Sequence, residues 1–315
     1  MRENLLVTGG CGFIGSNLVP FLINKGFNVR ILDNMSRGKA ENITAPNVDI
    51  IEGDIRNVSD VENATEDIDC VIHLAAYGSV IESIEEPFEN FDINVGGTLN
   101  LLQGSIKAGI KKFVFASTGG ALIGNAKPPV DEKSLPKPIS PYGAGKLCCE
   151  AYCNAFAHSY GIQTVILRFA NVYGPYSAHK LGAVTTFIKA VMEGKPINIY
   201  GDGTASRDFL YVNDLCIGIH SALMNNLEPG IVLHLASGIE TLISDLAQMI
   251  IETSGKEGHE IVCHSPRRGE VERNFASYDL ARRMIGFSPL VSLSEGLKMS
   301  WGWFEKQWKS VSDIQ

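Results

Sequence analysis

The stretch Thr8-Gly9-Gly10-Cys11-Gly12-Phe13-Ile14-Gly15 follows the apolar run Leu5-Leu6-Val7 and leads into a segment with helical character, Ile14 to Asn24. Its glycines recur at a three-residue spacing, Gly9, Gly12 and Gly15, which lets the backbone come close to a pyrophosphate. The helix that follows would direct its positive end at the same phosphates. The stretch therefore predicts the first strand, turn and helix of a dinucleotide-binding fold.

Short apolar strand candidates alternate with helix candidates through the first half of the chain. They are Asn4 to Thr8, Val29 to Asp33, Val48 to Glu52, Cys70 to Leu74, Phe113 to Ser117 and Thr164 to Arg168. This alternation predicts right-handed crossovers and a Rossmann-type, doubly wound parallel sheet of the α/β class. Ligands of such sheets bind beyond the carboxyl ends of the strands.

After Pro175 the pattern becomes less regular, although Ile231 to Leu235 returns to strand character. We therefore expect a smaller, discontinuous α/β domain for the substrate. Residues 1–173 plus about 209–236 are expected to form the dinucleotide-binding domain, and about 174–208 plus 237–315 the substrate domain.

Composition narrows the classes of function. The chain has 315 residues, 45% of them hydrophobic, and a net charge of -8, which argues against a nucleic-acid or membrane-surface partner. No apolar run approaches ~18 residues, and the strand-like start leaves no room for a signal peptide, so we expect a cytoplasmic protein. The seven cysteines do not have metal-type spacing, so we expect reduced thiols and no metal site.

The second strand candidate ends in Asp33, where a carboxylate would bind the adenosine ribose and repel a 2'-phosphate. This favours NAD over NADP, although Arg37 lies close enough to hold a 2'-phosphate. Asp54 and Ile55 follow the third strand candidate and are expected beside the adenine, with a simple turn role for Asp54 as the alternative.

Tyr142 and Lys146 lie four residues apart after Pro141, a residue that favours the first turn of a helix. At this spacing the two side chains share one helix face. A cation ~4 Å from the phenol, at an effective dielectric of ~20, is worth ~4 kcal/mol, or about three pKa units. The pair therefore predicts a tyrosine base that is ionised near neutral pH.

Taken together, these residues resemble the extended short-chain dehydrogenase/reductase family, and within it UDP-sugar 4-epimerases of the UDP-glucose 4-epimerase type. The resemblance covers nearly the whole chain. Its other markers are His73-Leu74-Ala75-Ala76, Asn94-Val95-Gly96-Gly97-Thr98, Ser117-Thr118, Arg168 to Pro175, Arg207-Asp208 and Arg267-Arg268-Gly269-Glu270.

The resemblance implies a role for each matching position. Tyr142 would be the base, Lys146 would hold the nicotinamide ribose and lower the tyrosine pKa, and Thr118 would bind the sugar O4. Asn171, Arg207 and Arg267 would hold the diphosphate of a UDP-sugar. The implied NAD contacts are Gly9, Gly12, Phe13, Ile14, Gly15, Asp33, Asn34, Asp54, Ile55, Leu74, Ala75, Ala76, Asn94 and Lys146.

The residues after Thr118 bear on the reaction. Dehydratases of the family have an Asp-Glu pair there, and the related decarboxylases have a glutamate at the second position, whereas this chain has Gly119 and Gly120. The resemblance thus implies C4 epimerisation through a transient 4-keto sugar. A reductase with exchangeable cofactor and a non-catalytic dinucleotide-sensing protein remain alternatives.

The resemblance leaves the sugar open. Asn274 would face the C2 substituent, where a tyrosine restricts the site to glucose and galactose and a small residue admits an N-acetyl group. UDP-glucuronate is the rival substrate, because His179 or Lys180 could face a C6 carboxylate. The family also implies a homodimer through the helices around Asn90 to Lys107 and Tyr142 to Tyr160.

Overall fold

Thirteen strands are found in the computed structural model, which describes residues 3–46 and 48–312. They are β1 (Asn4–Thr8), β2 (Asn28–Asp33), β3 (Asp49–Glu52), β4 (Cys70–His73), β5 (Lys112–Thr118), β6 (Gln163–Phe169), β7 (Asn171–Tyr173), β8 (Ile197–Tyr200), β9 (Ser206–Arg207), β10 (Phe209–Tyr211), β11 (Ile231–Leu235), β12 (Thr241–Leu242) and β13 (Ile261–His264).

The α-helices of the described residues are α1 (Phe13–Asn24), α2 (Val58–Thr65), α3 (Val80–Glu85), α4 (Pro87–Phe91), α5 (Gly97–Lys107), α6 (Gly120–Ile123), α7 (Pro141–Tyr160), α8 (Ala183–Glu193), α9 (Val212–Met224), α10 (Ile243–Ser254), α11 (Asp279–Ile285) and α12 (Leu293–Ser312). Ala40–Asn42 forms a 3₁₀ turn and Asp92–Gly96 a π-helical segment. None of these helices has the length and apolar character needed to cross a membrane.

Seven strands pair into one parallel sheet in the order β11-β6-β5-β4-β1-β2-β3. The predicted fold class and the predicted strands are confirmed, and their ends agree to within one residue. The strands β2 and β3 lie on one side of β1, and β4, β5 and β6 lie on the other. The topological switch point of the sheet is therefore between β1 and β4. A ligand of a doubly wound sheet binds there, beyond the carboxyl ends.

Apolar side chains cover both faces of this sheet. Within β5, Val114 packs on the face under α1, α9 and α11, while Phe113 and Phe115 pack on the face under α2, α5 and α7. Strands that are buried on both faces are apolar at successive positions, which explains the continuous runs in the sequence.

A separate apolar cluster joins α8, α10 and α12 to β8, with Phe187, Ile199, Leu246 and Phe304 among its buried members. Here β8 pairs with β13, so segments from before and after β11 build the smaller unit together. The residue boundaries of the two domains stay a prediction.

The long helix expected around Asn90 to Lys107 is interrupted. α4, the π-helical segment and α5 follow one another, and Asn94 lies buried within the π-helical segment. A π-helical turn shifts the register of the helix surface and is often found at functional sites.

Candidate active site

A cavity of about 990 Å³ opens at the carboxyl ends of the central strands and extends to the smaller unit. Most of the residues predicted for cofactor and substrate line it. They are Gly9, Gly12, Phe13, Ile14, Asp33, Asn34, Asp54, Ile55, Leu74, Ala75, Ala76, Thr118, Tyr142, Lys146, Asn171, Arg207, Arg267 and Asn274. Gly15 and Asn94 are the two predicted residues outside the lining.

The glycine turn lies between β1 and α1 and is shaped by close backbone contacts. A β-carbon on Gly9, which has a φ of +66°, would lie 2.7 Å from the Ala75 nitrogen. One on Gly15 would overlap the Gly10 carbonyl, so Gly15 acts through packing and lets α1 start directly at the turn. The backbone of the turn is thus not covered by side chains, as the close approach of a dinucleotide pyrophosphate requires.

Asp33 ends β2 beside this turn and is buried. Its Oδ2 accepts a hydrogen bond of 2.9 Å from the Cys11 nitrogen, and its Oδ1 accepts one of 2.9 Å from the Met35 nitrogen. Burial raises the pKa of the Asp33 carboxyl, and these two hydrogen bonds oppose that shift. The carboxylate therefore fixes the glycine turn while still facing the cavity.

Asp54 faces the cavity from the loop after β3. Arg56 donates from Nε to Oδ1 (3.0 Å) and from Nη2 to Oδ2 (2.8 Å), and Asn34 Nδ2 donates to Oδ2 at 3.0 Å. The hydrogen bonds from Arg56 hold the pKa of the Asp54 carboxyl well below its usual range. Asp54 also accepts from the Arg56 nitrogen, so it combines the turn role with a place in the lining.

Asn94 was expected at the cofactor, but its buried side chain faces the backbone of Tyr77. Its Oδ1 accepts from the Tyr77 nitrogen at 2.8 Å and its Nδ2 donates to the Tyr77 oxygen at 3.2 Å. Tyr77 lines the cavity. Asn94 therefore holds the Tyr77 backbone in the cavity wall and does not itself line the cavity.

Tyr142 and Lys146 lie on the first turns of α7, which begins at Pro141 with Ser140 Oγ accepting from the Gly143 nitrogen at 3.2 Å. The predicted helix start is correct, and both side chains line the cavity.

The predicted ionisation of the Tyr142 phenol near neutral pH is wrong for the protein alone. Burial raises the pKa of Tyr142 to about 12. Lys146 does not counter this, because its Nζ donates to the Ala116 oxygen at 2.8 Å, lies 4.7 Å from the centre of the Phe115 ring and is 6.0 Å from the centre of the Tyr142 ring. Burial also lowers the pKa of Lys146.

Thr118 ends β5 at the cavity, and two glycines follow it. The Gly119 nitrogen donates to the Phe169 oxygen at 2.9 Å, which holds the turn against the neighbouring strand. A β-carbon on Gly119 would lie 3.2 Å from His234 Nδ1, and one on Gly120 would lie 3.1 Å from Asn274 Oδ1. These two buried side chains therefore fill the space behind the glycines.

Two arginines mark the other end of the cavity. Arg207 Nη1 donates to the Ser206 oxygen at 2.8 Å, and burial lowers the pKa of its guanidinium. The Arg267 guanidinium lies 3.5 Å from the centre of the Tyr200 ring, with Glu270 Oε1 at 3.9 Å. Both arginines keep further donors for an anionic ligand.

Tyr200 was not predicted from the sequence, although it lines the cavity and carries the Arg267 guanidinium. The sequence feature that could have identified Tyr200 is its position directly before the Gly201-Asp202-Gly203 turn. Ser79 to Glu82 also line the cavity, and no local pattern marked them because the path of the loop decides their position.

A buried polar row was also missed. β5, β6 and β11 place Ser117, Arg168 and His234 side by side. Glu150 Oε1 accepts from Ser117 Oγ at 2.5 Å, and the Glu150 carboxylate binds Arg168 in a bidentate pair of 2.9 and 2.7 Å. His234 has no hydrogen bond on either ring nitrogen among the described residues, and burial lowers its pKa to about 3.

Residues 5–236 match a family model described as the NAD dependent epimerase/dehydratase family. A putative UDP-glucose 4-epimerase of Methanocaldococcus jannaschii is 38% identical over 305 residues, 96% of this chain and 98% of that protein.

Two solved structures are similar over almost their whole length. UDP-glucose 4-epimerase from Thermotoga maritima with UDP-glucose has a TM-score of 0.93 and 39% identity, covering 97% of this chain and 100% of that one. UDP-N-acetylglucosamine 4-epimerase from Methanobrevibacter ruminantium, in complex with UDP-N-acetylmuramic acid, has a TM-score of 0.91 and 34% identity, covering 98% and 100%.

Proposed function

The chain belongs to the NAD-dependent epimerase/dehydratase family, with NAD as its cofactor, and we propose that it interconverts UDP-sugars that differ in configuration at C4. We infer that UDP-glucose and UDP-galactose are substrates and that the N-acetylated pair is accepted as well. The similarity to 4-epimerases of UDP-glucose and of UDP-N-acetylglucosamine supports this class of substrate.

The observation that carries the proposal is the arrangement around the end of β5. Thr118, Tyr142 and Lys146 line one cavity, and Thr118 is followed by Gly119 and Gly120 rather than by acidic side chains. A hydroxyl, a phenol and an ammonium are suited to moving one proton at a sugar hydroxyl. Glycines supply no proton to a leaving group, so a 4-keto sugar formed here would be reduced again.

The residues at the strand ends fit the cofactor. The turn at Gly9 and Gly15 has no room for side chains, α1 directs its N-terminal end at the turn, and Asp33 faces the cavity beside it. When bound, NAD supplies the oxidation and the later re-reduction of the sugar carbon, so no net redox change results.

Tyr142 would accept the proton of the sugar O4 and later return it, and Thr118 would hydrogen-bond the same oxygen. Because burial raises the pKa of Tyr142 to about 12, the phenol needs a nearby positive charge to act as a base near neutral pH. Lys146 is the closest candidate on the same helix. It would reach that position by exchanging its bond to the Ala116 oxygen for contacts to the bound ligands.

The diphosphate of the UDP-sugar would lie between Arg207 and Arg267, with Asn171 at the end of the same cavity. The planar guanidinium binds phosphate oxygens in pairs, which suits it to this task. Such a clamp would hold the nucleotide while the 4-keto sugar turns its other face to the cofactor.

We also propose a homodimer. α4 packs against α7, and the aromatic side chains of Phe88 (89% exposed) and Phe91 (59%) project from α4. Among the apolar residues of α7, Ala151 and Ala155 are exposed and could join this surface. Phe156, however, is buried in the core under the sheet, and Leu147 is partly buried, so the aromatic residues of α4 carry the proposed interface instead.

The proposal is tested by incubating purified protein with UDP-glucose, UDP-N-acetylglucosamine or UDP-glucuronate, without added NAD, and separating the products. Conversion of the first two to their C4 epimers is expected. Turnover that requires added nucleotide would indicate a reductase. Conversion of UDP-glucuronate alone would identify it as the substrate instead. His179 and Lys180 line the cavity and could bind its C6 carboxylate.

A further inference from the structure

The loop between β7 and α8 holds two basic side chains at the cavity. The Lys180 nitrogen donates to the Ser177 oxygen at 2.8 Å, which closes a turn, and the buried Ser177 Oγ donates to the Gly174 oxygen at 2.7 Å. The turn presents His179 and Lys180 to the cavity lining. Their positions are therefore fixed by a folded loop.

This loop is tied to the helix that follows the glycine turn. Asn17 Nδ2 donates to the Pro175 oxygen at 3.1 Å and to the Phe13 oxygen at 2.9 Å. Phe13 is the first residue of α1. The start of the basic loop is thus anchored to the first turn of the helix whose N-terminus faces the dinucleotide site.

A second basic segment packs on the glycine turn. A β-carbon on Gly38 would lie 2.6 Å from the Cys11 carbonyl carbon, and the Lys39 nitrogen donates to the Cys11 oxygen at 3.1 Å. Arg37 lines the cavity next to it and pairs with Glu82 at 2.7 Å.

Lys180 forms no ion pair with the described residues, and the neighbouring Glu82 pairs with Arg37 instead. The Lys180 side chain is open to water in the cavity, yet the protein around it and the Arg37 charge lower its pKa. Arg37 and Glu82 are the charges that act on Lys180, and neither lies on the helix of Tyr142.

These contacts locate the basic loop beside the glycine turn, at the dinucleotide end of the cavity. We propose that Lys180, assisted by His179, binds the diphosphate of the bound dinucleotide and slows its dissociation. Slow dissociation suits an enzyme whose cofactor is regenerated in every cycle. The inference rests on NAD as the cofactor. It rests on the proposed function only for the advantage that slow dissociation would give.

The test measures cofactor release rather than turnover. Protein loaded with NADH is diluted into excess NAD, and the loss of bound NADH fluorescence gives the dissociation rate. Lys180→Met should release NADH about tenfold to a hundredfold faster, as expected for the loss of a hydrogen bond to a charged group. Lys189→Met is the matched control, because Lys189 contributes to the charge around His179 but lies outside the cavity lining.

Three further measurements sharpen the test. High salt should accelerate NADH release from the wild type more than from Lys180→Met, because an exposed ion contact is screened. His179→Gln should release NADH faster than the wild type by a smaller factor. Lys180→Gln repeats the main measurement with a polar side chain.

An unchanged NADH release rate in Lys180→Met overturns the proposal. If that variant instead raises the KM for every UDP-sugar, Lys180 serves the diphosphate of the substrate. If it loses only UDP-glucuronate, Lys180 serves a sugar carboxylate. Because NADH release needs no sugar substrate, it can be measured even if the proposed epimerase activity is absent.

Discussion

Asn274 fills the space that a side chain at Gly120 would need, with its Oδ1 3.1 Å from the position of a β-carbon there. Its Nδ2 is buried, has no hydrogen-bond partner among the described residues, and belongs to a residue that lines the cavity. A buried donor without a partner costs about 1–3 kcal/mol. The carbonyl of an N-acetyl group at the sugar C2 would satisfy it.

We therefore expect Asn274→Tyr to lower kcat/KM for UDP-N-acetylglucosamine by about a hundredfold and to leave UDP-glucose within about threefold. Steric overlap costs more than the ~1–3 kcal/mol that filling a pocket provides. Asn274→Ala is the control and should keep the N-acetylated substrate. If Asn274→Tyr slows all substrates alike, Asn274 is not the residue that selects the sugar.

Tyr142→Phe should bind NAD normally and lower kcat by roughly a hundredfold to ten-thousandfold, because the variant lacks the proton acceptor. Lys146→Ala should impair both turnover and NAD binding. Cofactor content and product formation are measured on the same preparations. Near-normal epimerisation of any UDP-sugar by Tyr142→Phe would remove Tyr142 from the mechanism.

The pKa of Tyr142 can be followed directly. In NAD-free protein near neutral pH, the wild type and Tyr142→Phe should show the same tyrosinate absorbance. The reason is that the pKa of Tyr142 is raised to about 12. Adding NAD should lower the pH at which the Tyr142 tyrosinate appears. Tyrosinate at position 142 near neutral pH without NAD would mean that the Lys146 charge outweighs burial.

Acid should destabilise the protein through two buried histidines. Burial lowers the pKa of His73 and of His234 to about 3. In the unfolded chain, both imidazoles bind a proton below their ordinary pKa of 6.5. Their contribution to stability is therefore full above pH 6.5 and declines as the pH falls toward 3. At about pH 5 each costs roughly 2 kcal/mol.

Urea unfolding at neutral and acid pH measures this loss. His234→Asn should lose roughly 2 kcal/mol less on acidification than the wild type, and the exposed His158→Asn should behave like the wild type. Equal acid sensitivity of His234→Asn and the wild type would show that His234 does not stay neutral in the folded state.

The proposed dimer depends on the exposed aromatic residues of α4. Phe88→Glu combined with Phe91→Glu should give a folded monomer by light scattering, because the charges would oppose burial of the surface. Leu290→Glu is the control, since Leu290 is 74% exposed in the loop before α12. A wild type that is monomeric at micromolar concentration contradicts the dimer.

Much of the fold follows from local patterns. The run from Thr8 to Gly15 predicted a strand, a turn and a helix, and each was found where expected, because the apolar strand, the glycine turn and the helix are neighbours in the chain. The helix start at Pro141 was equally local. The predicted helix from Asn90 to Lys107 was interrupted because a π-helical turn has no simple sequence signature.

By itself, the sequence determined the parallel sheet, the glycine turn and the placement of Tyr142 and Lys146 on one helix, because these depend on the periodicity and spacing of near neighbours. Only the tertiary structure decided that burial raises the pKa of Tyr142 and that Asn94 faces Tyr77 rather than the cavity. It also placed Asn274 behind Gly120 and the Lys180 loop over α1. These outcomes depend on contacts between residues far apart in the chain and on the solvent that those contacts exclude, which no local pattern records.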